Sequence, residues 1–222
     1  MEANYLKPVL DFLDELARHN QRDWFKQHQD VYQAAHGRFE TFIDELIGAY
    51  RSVEDLGPLT ARDCVMRIYR DVRFTRDKSP YQTHMAASIA KGGRHSPRFP
   101  YYFHIAPHDQ SFLAGGLYMP SGPQLARFRE QIHRNSAPLR AIFNDSRFRQ
   151  VFGTPGGESL KTAPQGYSRD HPDIDLMRLK QVTVAYPLPD ALVVSPHIID
   201  QVVDIFALMK PFLDYLNDTL AA

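Results

Sequence analysis

The chain has 222 residues, 43% of them hydrophobic and 12% aromatic, and its 26 Lys and Arg balance 26 Asp and Glu to leave no formal net charge. That length and apolar content can build one substantial core, and the neutral balance weighs against a dedicated nucleic-acid binder, which is usually basic overall. The single cysteine, Cys64, excludes an intrachain disulfide and fits a reducing compartment. No basic region followed by an apolar run stands at Met1 to Leu6, and no apolar stretch approaches the roughly 20 residues of a membrane span, so a cytoplasmic protein with no membrane association is expected.

Leu6, Val9, Leu10, Leu13, Leu16 and Ala17 recur at helical spacing and predict a first amphipathic helix. Asn20, with Asp23 three residues on, reads as a capping box that opens a second helix. Its stripe runs from Trp24 and Phe25 through Phe39, Phe42, Leu46 and Ile47 to Tyr50, so one long helix with a long buried face is expected before Gly57-Pro58.

The middle of the chain changes period. Residues Cys64 to Tyr69 alternate, with Met66 and Ile68 on one face and Arg67 and Tyr69 on the other, as in a half-buried strand. Met85 to Ala90, Tyr101 to Ala106 and Ser111 to Tyr118 also read as strands, the last two joined as a hairpin through Pro107-His108-Asp109-Gln110. Gly115-Gly116 marks a bulge or a close backbone approach. Lys91 to Pro100, rich in Gly, Pro and Arg, reads as a mobile loop. Ser121-Gly122-Pro123 opens a helix to Asn135, and a short helix is expected over 138–144. Asp170 to Asp173 reads as a cap before a helix at Ile174 to Leu179, Val182 to Tyr186 as a strand, and Pro196 as the start of a striped C-terminal helix. Helices at both termini packed on a central, mainly antiparallel sheet make an α+β fold, expected as a single domain over 1–222.

Chemistry concentrates in one phrase. Between residues 62 and 98 nine cations stand against only Asp63, Asp71 and Asp77. Crowded guanidinium groups face water, pair with carboxylates or hold an anion, and Arg suits carboxylate and phosphate because its planar fork donates bidentately. The ligand-binding candidates are Arg67, Arg70, Asp71, Arg73, Lys78 and Tyr81, with Tyr102 and His104 on one strand face as polar partners and His84 close by. They predict binding of, or catalysis on, a small anionic ligand bearing phosphate or carboxylate. The alternative is a nucleic-acid or protein-partner module stacking on Tyr69, Tyr81 and Tyr102. A third reading makes the segment structural, with Arg70 paired to Asp71 or Asp77. Neither GxGxxG nor GxxxxGK[ST] occurs, so no nucleotide cofactor is expected. His104 and His108 are separated by Pro107 and HExxH is absent, so no metal site is expected, and Cys64 reads as an inert core thiol.

Several phrases carry a resemblance. His19-Asn20-Gln21-Arg22-Asp23-Trp24-Phe25, Arg70-Asp71-Val72-Arg73-Phe74 and Asp77-Lys78-Ser79-Pro80-Tyr81 stand in order along the chain. Tyr101-Tyr102-Phe103-His104, Gly115-Gly116-Leu117-Tyr118, Leu160-Lys161, Pro164-Gln165-Gly166-Tyr167 and Asp170-His171-Pro172 follow. Together they resemble the bacterial and fungal family known as domain of unknown function 2461. Gln165 departs from the Lys more usual there, which removes a cation from that position. The resemblance implies one domain over nearly the whole chain and leaves the activity open.

Overall fold

The structure, a computed structural model, describes residues 2–71, 73 and 76–220. Val72, Phe74 and Thr75 of the basic segment lie outside the described residues. In chain order the elements are α1 (Lys7–Arg18), α2 (Arg22–Gln27), α3 (Gln29–Tyr50), α4 (Ala61–Cys64), β1 (Met85–Ile89), a 3-10 turn (Gly93–His95), β2 (Tyr101–Ile105), β3 (Ser111–Leu117), α5 (Gly122–Arg134), α6 (Ala137–Asn144), α7 (Ser146–Phe152), α8 (Ile174–Met177), β4 (Val182–Leu188), α9 (Asp190–Val193) and α10 (Ile198–Leu220). The fold is α+β, with helices at both termini and one four-stranded antiparallel sheet in the order β1-β2-β3-β4. No described helix is long and apolar enough to cross a membrane.

The chain groups into two compact units. The first comprises Met1–Ser96, Tyr101–Leu113 and Pro187–Ile205. Here α1 buries Val9, Leu10, Phe12, Leu13 and Leu16, one stripe of a 3.6-residue period. α3 buries Phe39, Phe42, Ile43, Leu46 and Ile47. Phe39 and Phe42 meet Phe103 of β2 with ring centres 6.0 and 5.0 Å apart, which seats α3 on one face of the sheet. The β1–β2 register pairs Ala86 with His104 and Ser88 with Tyr102. Because side chains alternate along a strand, Tyr102 and His104 project away from α3. The hairpin turn places His108 and Asp109 at φ of 64° and 57°, and the Asp190 carboxylate accepts both their backbone N–H groups at 2.9 and 3.1 Å.

Four expectations change here. The single long second helix is two helices, broken at His28 (φ −113°, ψ 26°), whose Nδ1 lies 2.8 Å from the Trp24 carbonyl oxygen. Asn20 does not cap it; Gln21 occupies that position without a side-chain bond, because the Asn20 amide is engaged elsewhere. The strand expected from Cys64 begins as a helical turn instead. Thr60 and Asp63 form a capping box that carries the backbone through Cys64, leaving only isolated bridges at Val65–Ala87 and Tyr69–Tyr81. Its alternation fails accordingly: Ile68 is buried while Met66 is 45% exposed. Residues 91–100, read as a mobile loop, contain the 3-10 turn, where Arg94 donates to the Arg62 carbonyl at 2.5 Å.

The second unit comprises Pro97–Pro100, Ala114–Tyr186 and Phe206–Ala222. Within it α10 packs on the sheet. A Cβ on Gly115 would meet Met209 Sδ and lie 3.2 Å from Leu213, and one on Gly116 would run into the Val182 carbonyl oxygen. Gly116 also adopts φ of 124°, so the glycine pair marks a close approach. Ser121 and Gln124 form a capping box that opens α5. The expected helix at 174–179 is shorter, ending at Met177. Arg140 fixes that region by donating to Asp173 at 3.0 Å and to both Asp175 oxygens.

Candidate functional site

The Asn20 amide organises the basic segment. Its Nδ2 donates to the Tyr81 carbonyl at 3.0 Å and its Oδ1 accepts from the Tyr81 N–H at 3.1 Å. This side chain imitates a neighbouring strand and ties the α1–α2 corner to residue 81. Tyr81 is thereby laid on Phe25 of α2, ring centres 3.9 Å apart and 15° from parallel. Tyr69, bridged to Tyr81, stands 5.5 Å from its ring and 6.2 Å from Phe25. Backbone bonds from Arg70 N–H to Pro80 and from Gln82 N–H to Ile68 complete the support.

Between α2 and this ribbon lies a hollow of about 460 Å³. Its apolar wall is Phe25, Tyr69, Tyr81 and Pro80; its polar wall is Arg22, Lys26, Arg70 and Gln29. Among the described residues, no carboxylate and no histidine stands in the lining. Arg70 Nη1 is bound to Asp77 Oδ2. Arg22 and Lys26 make no ion pair among the described residues. They stand four apart on one helix, where like charges repel.

The expected site residues separate into three groups. Arg70 and Tyr81 meet at the hollow. Asp71 and Arg73 are an exposed local pair, Arg73 Nε and Nη2 donating to the carboxylate at 2.9 and 2.6 Å. These bonds hold the Asp71 carboxyl below its usual range, with a further contribution from Arg67. Arg70, followed by the Ser79 hydroxyl and N–H, holds the Asp77 carboxyl well below the ordinary value. Arg70 and Arg73 are thus occupied with the phrase's own carboxylates. Arg67 and Lys78 are exposed and do not line the hollow.

Tyr102 and His104 form the third group, on the sheet face away from α3. His104 stacks on Phe112, ring centres 4.4 Å apart, and lies 4.2 Å from His84. The Tyr102 hydroxyl is 3.4 Å from His104 Nδ1. Burial, then the neighbouring His84, pushes the His104 pKa down to about 4. Burial and the Arg70 charge lower His84 as well. Both shifts favour the neutral imidazole, so at pH 7 His104 is not an imidazolium acid.

A second hollow, of about 310 Å³, is lined by Asp11, Asp14, His108, Asp190 and neighbours. His108 Nε2 lies 2.9 Å from Asp14 Oδ1, Arg18 pairs with the same carboxylate, and Lys7 pairs with Asp11. Among the described residues no group of three or more His, Cys, Asp or Glu is placed to hold a metal ion. Cys64 is buried, which raises its thiol pKa to about 12.

Arg22 and Lys26 are the residues that sequence reasoning misses. Along a continuous helix Lys26 would face Asp30 one turn on. The break at His28 separates them, and no ion pair joins them. The available signal was the i, i+4 spacing of Arg22 and Lys26 around Phe25. The family model described as conserved hypothetical protein, DUF2461, matches residues 8–215. No curated protein and no solved structure matches the chain.

Proposed function

The chain belongs to the DUF2461 family of conserved hypothetical proteins, and we propose that it binds a small anionic ligand, bearing phosphate or carboxylate, in the hollow between α2 and residues 69–81. The observation that carries this reading is the pair Arg22 and Lys26, two cations without a carboxylate partner on a concave surface whose lining holds no acid. A pocket of this size suits a small molecule. Arg70, steadied by Asp77, adds a third positive group in a fixed direction. With no histidine or carboxylate in the lining, the reading is one of binding rather than acid–base catalysis. We place this activity in the cytoplasm, where a lone buried thiol needs no oxidised partner.

Thermal unfolding at low ionic strength tests it. Inorganic phosphate or benzoate is expected to raise the Tm of the parent protein, and the double variant Arg22→Ala/Lys26→Ala to lose that rise. Arg73→Ala, whose guanidinium serves Asp71 outside the hollow, is expected to keep it. A parent protein indifferent to both anions, or a double variant that still responds, overturns the reading.

A further inference from the structure

We infer that the ligand of this hollow is a phosphate monoester of a flat aromatic or heteroaromatic group, an inference that rests on the anion-binding reading above. Two features of the lining narrow the class. The first is charge. Arg70 is already met by Asp77, which leaves Arg22 and Lys26 as the two uncommitted positive charges. A phosphate monoester carries close to two negative charges at pH 7, whereas a carboxylate carries one. The second is the aromatic wall. Phe25 and Tyr81 cover one another at 3.9 Å, and Tyr81 is 6% exposed, so neither has a free face for a ligand. Tyr69 differs: its ring leans on theirs at 5.5 and 6.2 Å yet stays 54% exposed. A large aromatic side chain kept in solvent at the rim of a cationic hollow has one ring surface open for stacking, and aromatic stacking is a substantial, chemistry-tolerant source of affinity. The volume of about 460 Å³ exceeds what a bare phosphate fills and admits one ring beside it. The phosphate sits against Arg22 and Lys26, with Gln29 as a neutral donor, and the ring lies on Tyr69.

Titration calorimetry with four probes on the full chain tests this: inorganic phosphate, phenyl phosphate, cyclohexyl phosphate and benzoate. Phenyl phosphate is expected to bind at least tenfold tighter than each of the other three. Tyr69→Leu, at a position 54% exposed, is expected to erase the advantage of phenyl over cyclohexyl phosphate. Tyr69→Phe is expected to retain it. If phenyl and cyclohexyl phosphate bind equally while Arg22→Ala/Lys26→Ala abolishes both, the aromatic assignment fails and anion binding stands. Benzoate binding as tightly as phenyl phosphate overturns the phosphate assignment alone. If none of the four binds, the hollow is not an anion site and both readings fall together.

Discussion

His104 sets aromatic packing against protonation. Its ring lies within 17° of parallel to Phe112 and is flanked by His84, and burial lowers its pKa from 6.5 to about 4. Between those values the unfolded chain binds more protons than the folded one, so stability rises with pH through the window. The contribution is complete above about pH 6.5. It erodes as the pH falls and is gone below about pH 4. His104→Gln, which cannot titrate, is expected to flatten the dependence of Tm on pH across that range; an unchanged slope would locate the acid sensitivity elsewhere. Asn20 carries a different burden. Asn20→Ala leaves the Tyr81 N–H and carbonyl unmatched in a part-buried place, at an expected cost of about 1–3 kcal/mol, read as a lower urea midpoint with unchanged m. Of the residues at the hollow, Arg70 and Tyr81 were legible in the sequence because a run of crowded cations shows without any structure. Arg22 and Lys26 were not, because the separation of Lys26 from Asp30 depends on a backbone break at His28 that hydrophobic periodicity does not register.

At the level of elements, β3 and α10 show how two adjacent glycines do different work. Gly115 faces Met209 and Leu213, flexible side chains that can yield, whereas Gly116 faces the Val182 carbonyl and, at 2.9 Å, the Thr183 Cα, which cannot. Gly116 also holds a φ of 124° that other residues rarely adopt. Gly116→Ala is therefore expected to destabilise more than Gly115→Ala, by at least about 1–3 kcal/mol relative to the parent, measurable by chemical unfolding of the two variants side by side. Strongly periodic elements were legible: α1, α3, all four strands and α10 follow from apolar spacing and turn residues. The segment after Gly57-Pro58 was not, because the Thr60–Asp63 capping box just before Val65 outweighs the alternation that follows it. The short helices α7 and α9 are too brief to show a period at all.

For the whole molecule, a formal charge of zero means that positive potential is local and is offset elsewhere in the chain. Phosphate binding at the exposed Arg22 and Lys26 is expected to weaken as salt rises, since screening acts most on charges in water. The same distribution disfavours a polymer. A single-strand platform needs successive open rings, and Tyr81 is closed off by Phe25. A gel shift with single-stranded RNA or DNA at low salt is expected to show no retarded band; a salt-steep shift would instead favour the nucleic-acid reading. The clasp between Asn20 and Tyr81 has a further consequence, because it joins positions 61 residues apart. Closing so long a loop costs entropy whatever its sequence, and both walls of the hollow depend on that closure: one hangs from α2, the other from the ribbon at residues 69–81. If the proposed anion binds there, it would fasten the two walls together, and hydrogen exchange at the Tyr81 amide is then expected to be slower with phosphate present than without it.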